Sequence, residues 1–395
     1  MPFGRAACAL LSAAALLALP SCTRHQDGQP LNVKLSFGEV GTSPGQFSYP
    51  RCLDVDRSGV WVIDKLARVQ RLDAVTGEGR GGWQMPEWKE GKPTGMTVWD
   101  AEGSDGPIVF VADTHYFRVM VYDGGSLAPG REGEGLGALL TRFGEYGNGP
   151  GQFVFPTDIA VLPTPDGKAI ARLYVSEYQH NERISVFEPK SPVTRQQLID
   201  AAKGGDLGPA PSPFEFKFSF GSQGDSASAD TIQFNRPQSI AIDTARQELV
   251  VNDACNHRVG RFTLDGKLIA WINPDCTTGP AIGQFAYPYG LALLGDGTAL
   301  VCEFGNHRIQ RIDLASGASM GTWGQLGRQP GQLSTPWGVA VRGDLVYVLD
   351  SGNNRVQAFE KPRLKENVTG TSAVKSTIMQ GHDRGTDDRS TGGAG

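Results

Sequence analysis

An all-β fold made of six copies of one four-stranded antiparallel unit follows from three observations on the sequence. An Asp or Glu closes an apolar run and an Arg opens the next one four to six residues later, at Asp64 and Arg68, Asp113 and Arg118, Glu177 and Arg183, Asp253 and Arg258, Glu303 and Arg308, and Asp350 and Arg355. Ahead of most copies, Gln and an apolar residue are followed by two residues and then Pro: Gln46-Phe47 to Pro50, Gln152-Phe153 to Pro156, Gln233-Phe234 to Pro237, Gln284-Phe285 to Pro288, Gln332-Leu333 to Pro336. Glycine supplies 52 of 395 residues, well above the usual ~7%, so turns are frequent and long helices are not expected. A unit with one apolar face buries it only against its neighbours. Four short strands repeated several times are the pattern of propeller blades, and the sequence predicts a six-bladed β-propeller.

Each element has a local reason. Pro cannot donate to a sheet ladder, so each marker Pro belongs at the start of a strand. Unit one starts at Pro50, and unit two keeps only Pro93, followed by Thr94-Gly95-Met96, without the Gln-Phe lead. Unit four is the clearest, with strands at Ser239 to Asp243, Glu248 to Asp253, Arg258 to Thr263 and Lys267 to Ile272, separated by Gly, Asp and Asn turns. Fourth strands fall at Trp83, Phe143, Phe218, Trp271 and Trp323, which leaves the sixth unit, Pro336 to Glu360, one strand short. Asn32 to Gly38 carries the Phe-Gly ending of Phe143-Gly144 and Phe220-Gly221, so it supplies the missing strand and closes the ring, removing the exposed edges. Two insertions, Gly124 to Ala138 and Pro189 to Pro213, lengthen the links between strands three and four. Both lie on the face opposite the motif arginines, and the second holds a short amphipathic helix at Thr194 to Lys203.

The repeats resemble the NHL-repeat family, whose units read like Pro-x-x-Ile-Ala-Val-Asp, then Val-Tyr-Val-x-Asp, then Asn-x-Arg-Val. The nearest copies are Pro237 to Asp243 with Asn256-His257-Arg258-Val259, and Pro336 to Val341 with Asn354-Arg355-Val356. The resemblance spans residues 33–361 and implies the six-bladed propeller. It leaves function open, because one fold hosts many activities.

The first residues set an expected compartment. Ala6 to Leu19 is apolar, about fourteen residues long, and follows the single Arg5. That is too short to span a membrane and suits a signal-peptide core. Leu19-Pro20-Ser21-Cys22 resembles a bacterial lipobox, in which Cys22 becomes the lipidated first residue; a signal peptide cut nearby beside an incidental Cys is the alternative. The expected organisation is a signal peptide over 1–21, a lipidated tether over 22–32, the propeller over 33–361 and a disordered polar tail over 362–395. Lipid chains on Cys22 would hold the protein at a bacterial membrane, outside the cytoplasm. Thr23 after the Cys implies the outer membrane by resemblance to sorting rules.

Cys52, Cys255, Cys276 and Cys302 form an even set in an exported chain, and both disulfides and buried thiols fit them. No Cys-x-x-Cys is present. The net charge of -5 is interspersed, which argues against nucleic acid as a partner. There is no Gly-x-Ser-x-Gly and no His-Glu-x-x-His.

The candidate site is the rim of the central channel. The residues after each strand-one Pro, Arg51, Thr94, Thr157, Gln238, Tyr289 and Trp337, form a mixed polar and aromatic ring near the axis, the usual setting of a small-ligand site. The motif arginines Arg68, Arg118, Arg183, Arg258, Arg308 and Arg355 share that rim. Each either pairs with its motif carboxylate to lock two loops, or stands unpaired to capture an anion. His115, His180, His257 and His307 sit in equivalent loops. Propellers similar to the amidating lyases hold zinc with histidines that follow the strand-one Pro, and no His stands at those positions here. No cofactor is therefore predicted; zinc, or calcium held by channel carbonyls and Asp158, has no sequence signature. Asp56 and Asp243 end their strands and are expected to cap turns. The resulting expectation is a membrane-anchored binding or scaffold module for an envelope protein or small ligand. An envelope lyase or hydrolase working at the channel rim is the alternative.

Overall fold

The computed structural model describes residues 31–204, 209–228 and 230–361. Cys22, the segment before it and the tail over 362–395 lie outside the described residues. Six four-stranded sheets carry the chain; in five the strands run in sequence order from the axis outward, and in the sixth the outermost strand is the first among the described residues. Their inner strands touch in succession and the sixth touches the first, which closes a six-bladed ring.

Blade four, Pro237–Asp243, Glu248–Asp253, Arg258–Thr263 and Leu268–Ile272, is antiparallel throughout. It matches the sequence expectation to within two residues. Pro50, Pro237 and Pro288 each open an inner strand, whereas blade six begins its inner strand at Gly338, two residues past Pro336. The expected fourth strands are found at Gly79–Gln84, Leu139–Phe143, Phe214–Phe220, Leu268–Ile272 and Ser319–Trp323. Val33–Phe37 completes blade six by pairing antiparallel with Arg355–Glu360.

The marker apolar residues, Phe47, Phe153, Phe234, Phe285 and Leu333, are fully buried between blades. Each contributes about 2 kcal/mol from area removed from water. Gly38, Gly144 and Gly221 leave room for those rings: a Cβ on each would lie within 2.2 to 2.5 Å of the Phe47, Phe153 or Phe234 ring, and each has positive φ. The two insertions are joined on the far face. Thr194 caps the helix Arg195–Lys203 in a capping box with Gln197. Arg195 from that helix makes a buried 2.6 Å ion pair with Asp123, at the root of the first insertion.

Candidate functional site at the channel mouth

All six motif arginines are ion-paired with their motif carboxylates, at 2.5 to 2.9 Å. Five of them also donate to carbonyls of the loop that enters their blade's inner strand. Arg68 reaches Gly41, Thr42 and Gln46, and Arg308 reaches Pro280, Ala281 and Gln284. Arg183, Arg258 and Arg355 repeat the pattern at Gln152, Gln233 and Gln332. Arg118 departs from it because blade two has no Gln-Phe lead; its second partner is the Glu87 carboxylate. These arginines therefore work as loop locks, the first of the two roles the sequence allowed, and none lines the channel cavity.

The channel holds a cavity of about 300 Å³ walled by the inner strands of all six blades. That is at the lower end of the ~300–1,000 Å³ typical of small-ligand sites. Of the predicted ring, Arg51, Thr94, Gln238, Tyr289 and Trp337 line it. Thr157 does not. Its hydroxyl is fully buried, bonded to Ser176 Oγ and donating to the Pro237 carbonyl at 2.7 Å.

A near-continuous circle of side-chain contacts surrounds the mouth. Arg51 lies over Trp337 at 5.3 Å, Trp337 packs edge-on to Tyr289 at 4.9 Å, and Arg236 lies over Tyr289 at 5.3 Å and Tyr178 at 4.9 Å. Tyr178 meets Phe155 at 5.3 Å, and Phe155 meets His115, also at 5.3 Å. Cation–π contact of this kind stabilises by ~0.5–2 kcal/mol and leaves the guanidinium edges free to donate. Neither Arg51 nor Arg236 forms an ion pair among the described residues. Arg51 gives one 3.4 Å bond to the Lys92 carbonyl, and Arg236 one of 3.0 Å to Gln238 Oε1. Within the protein, Arg51 Nε, Trp337 Nε1 and His115 Nδ1 are buried without a hydrogen-bond partner. Burial pulls the Arg51 guanidinium below its ordinary value and Arg236 pulls it further. Burial, then Lys92 and Arg51, pull the His115 imidazole down as well, which favours its neutral form. Two cations without counterions, set among aromatic rings, suit an anionic ligand with a flat apolar body.

Deeper in the channel polar side chains are engaged with the neighbouring blade, Asn252 Oδ1 excepted. An inner strand presents an unpaired edge to the axis, and side chains of the preceding blade satisfy it. Asp54 accepts from Val98 N at 2.7 Å, Thr97 donates to the Ile159 carbonyl, and Asp158 accepts from Ile240 N at 3.0 Å and Ser239 Oγ at 2.9 Å. Asn252 donates to the Tyr289 and Gly290 carbonyls, and Cys302 to the Gly338 carbonyl. Burial pushes Asp54 and Asp158 up to about 7 each.

Histidine also has structural work. His257 and His307 adopt left-handed backbone conformations, and each accepts at Nδ1 the N–H of the residue before the next marker Pro, Tyr287 at 3.1 Å and Thr335 at 3.0 Å. Among the described residues no three His, Cys, Asp or Glu side chains cluster as metal ligands. The four described cysteines are free thiols. Asp56 and Asp243 cap turns as expected, Asp56 accepting from Gly59 N and Asp243 from Arg246 N. Arg236 was missed in the sequence, although its place immediately before a marker Pro puts it one step from the predicted ring.

The NHL-repeat model matches residues 234–262 and 333–359, which fall in blades four and six. No curated protein matches the chain. Solved structures similar to it include a streptogramin B lyase, at 14% identity over 82% of this chain and 86% of that one with a TM-score of 0.46. A protein of unknown function from Bacteroides thetaiotaomicron is similar at 15% identity, over 82% of this chain and 72% of that one, with a TM-score of 0.49. Virginiamycin B lyase from Staphylococcus aureus is similar at 14% identity, over 84% and 98% of the two chains, with a TM-score of 0.45. The chain is thus a six-bladed β-propeller that carries NHL repeats.

Proposed function

We propose that this propeller is a non-enzymatic binding module that captures a small organic anion at its channel mouth, held by lipid on Cys22 at a bacterial membrane outside the cytoplasm. One observation carries the binding reading: Arg51 and Arg236 stand in an aromatic circle with no carboxylate partner among the described residues. Guanidinium groups suit carboxylate and phosphate oxygens, and the surrounding rings suit a planar apolar body. The concave mouth favours a small ligand over a flat protein surface. The anchor and compartment rest on Ala6 to Leu19 and Cys22 alone, and fractionation of cells expressing Cys22→Ser checks them.

Calorimetry with benzoate as probe tests the site. Wild type is expected to bind, and Arg236→Ala to weaken binding by about tenfold or more, the loss of charge-assisted hydrogen bonds. Absence of binding by wild type to benzoate and to larger aromatic carboxylates would overturn the reading.

The enzymatic alternative, an envelope lyase or hydrolase, draws on His115, beside Phe155 in the circle, whose imidazole burial pulls toward its neutral form. Consumption of a bound ligand by wild type, abolished in His115→Ala, would favour it over the binding module.

A further inference from the structure

Blade two is entered by a segment unlike the Gln-Phe leads of the other five blades: Met85-Pro86-Glu87-Trp88-Lys89-Glu90-Gly91-Lys92-Pro93. Glu87 replaces the usual carbonyl partners of the motif arginine by pairing with Arg118, and Glu90 N–H is placed 3.4 Å from the Tyr116 hydroxyl. Those two anchors leave the rest of the segment standing beside the channel mouth. A second cavity, about 430 Å³, opens there, lined by Tyr49, Arg51, Lys65, Trp88, Lys89 and Lys92 among others.

The charges in this groove are one-sided. None of Arg51, Lys65, Lys89 and Lys92 forms an ion pair among the described residues, whereas Glu87 is turned to Arg118 and Glu90 is not in the wall. Four like charges in one concavity repel one another and focus a positive potential within a screening length of ~8 Å. Trp88 is 43% exposed. A large ring left open beside three lysines is a stacking platform. Arg51 lines both this groove and the channel cavity, so the two share a wall at its side chain.

We propose that the groove is a polyanion subsite, which takes a ligand bearing at least two phosphate or carboxylate groups. One anionic group sits among Lys65, Lys89 and Lys92, another reaches Arg51, and the apolar part of the ligand lies on Trp88 and Tyr49. The inference touches the channel-mouth reading only through Arg51; the lysine arm stands on its own cavity and charges.

Calorimetry on the full chain with inorganic tripolyphosphate and, separately, benzoate distinguishes the two sites. Wild type is expected to bind tripolyphosphate with a marked salt dependence. Lys65→Ala/Lys89→Ala/Lys92→Ala is expected to lose about tenfold or more, with a shallower salt dependence, while benzoate affinity is unchanged. All three lysines are exposed, so the variant is expected to melt like wild type. Trp88→Phe should remove the change in tryptophan emission that tripolyphosphate causes in wild type. The inference is overturned if wild type does not bind tripolyphosphate or if the triple variant binds it as tightly. Lysine-dependent tripolyphosphate binding with no binding of benzoate or of larger aromatic carboxylates would sink the channel-mouth reading and leave the groove standing.

Discussion

The Tyr49 backbone N–H donates to Asn354 Oδ1 at 2.7 Å, across 305 positions of the chain. It is the ring-closing version of a latch that His307 and His257 make one and two blades earlier, respectively. In each case a residue in left-handed backbone reaches from the turn after a blade's second strand to the residue before the next blade's Pro. A Pro on the C-terminal side deprives that stretch of one donor, and its neighbour's positive φ aims the remaining N–H at the previous blade.

Asn354→Ala leaves the Tyr49 N–H without its partner. The expected cost is about 1–2 kcal/mol, measured by chemical denaturation. An unchanged midpoint would show that water replaces the latch without loss.

The buried locks behave differently from surface ion pairs. Arg258 and Asp253 are both fully buried in side chain and 2.8 Å apart. Removing one partner of such a pair leaves a buried charge and costs about 3–5 kcal/mol. Arg258→Ala also strips the Gln233 and Asp225 carbonyls of their donor. Arg258→Met with Asp253→Leu is expected to be less damaging than Arg258→Ala alone, a comparison that melting curves settle directly.

Asp158 gives the protein a pH response opposite to that of a salt-bridged carboxylate. Burial raises it to about 7, while its unfolded value is ~3.9. Between those values the folded chain keeps a proton that the unfolded chain has released. Its contribution is therefore fully present below about pH 4 and is lost as pH rises through about 7, with a limiting slope of about 1.4 kcal/mol per pH unit. Asp158→Asn should flatten the stability profile over this window. Parallel profiles for variant and wild type would refute the assignment.

Gly290 and Gly338 bring two inner strands into close approach. A Cβ on Gly290 would lie 2.8 Å from Gly338 Cα and 2.9 Å from the Trp337 carbonyl, both backbone atoms that have nowhere to go. Gly290→Ala is expected to destabilise by about 1–3 kcal/mol and to disturb Trp337, which near-ultraviolet circular dichroism reports.

The repeat was legible because its chemistry is local. A carboxylate and an arginine a few residues apart bracket one turn, so Glu303 and Arg308 pair wherever that turn forms. The closing strand was legible for a similar reason, since a missing fourth strand and a spare Phe-Gly segment at Phe37-Gly38 admit one solution. The mouth was only half legible. Arg51, Gln238, Tyr289 and Trp337 followed from counting past each Pro, but the hydrogen bond that buries Thr157 and the rings that seat Arg236 belong to neighbouring blades. Lys65 and Lys89 come from different loops, and no spacing rule joins them.

The closing strand has a mechanical side. Val33 is the ladder partner of Phe359, so the described chain's two ends begin on neighbouring rungs at the same rim. Tension applied between them loads those hydrogen bonds in turn, like a zipper, instead of shearing them all together. Under a pulling force the sixth blade should part first, at low force, while the other five, whose strands are consecutive in the chain, still hold.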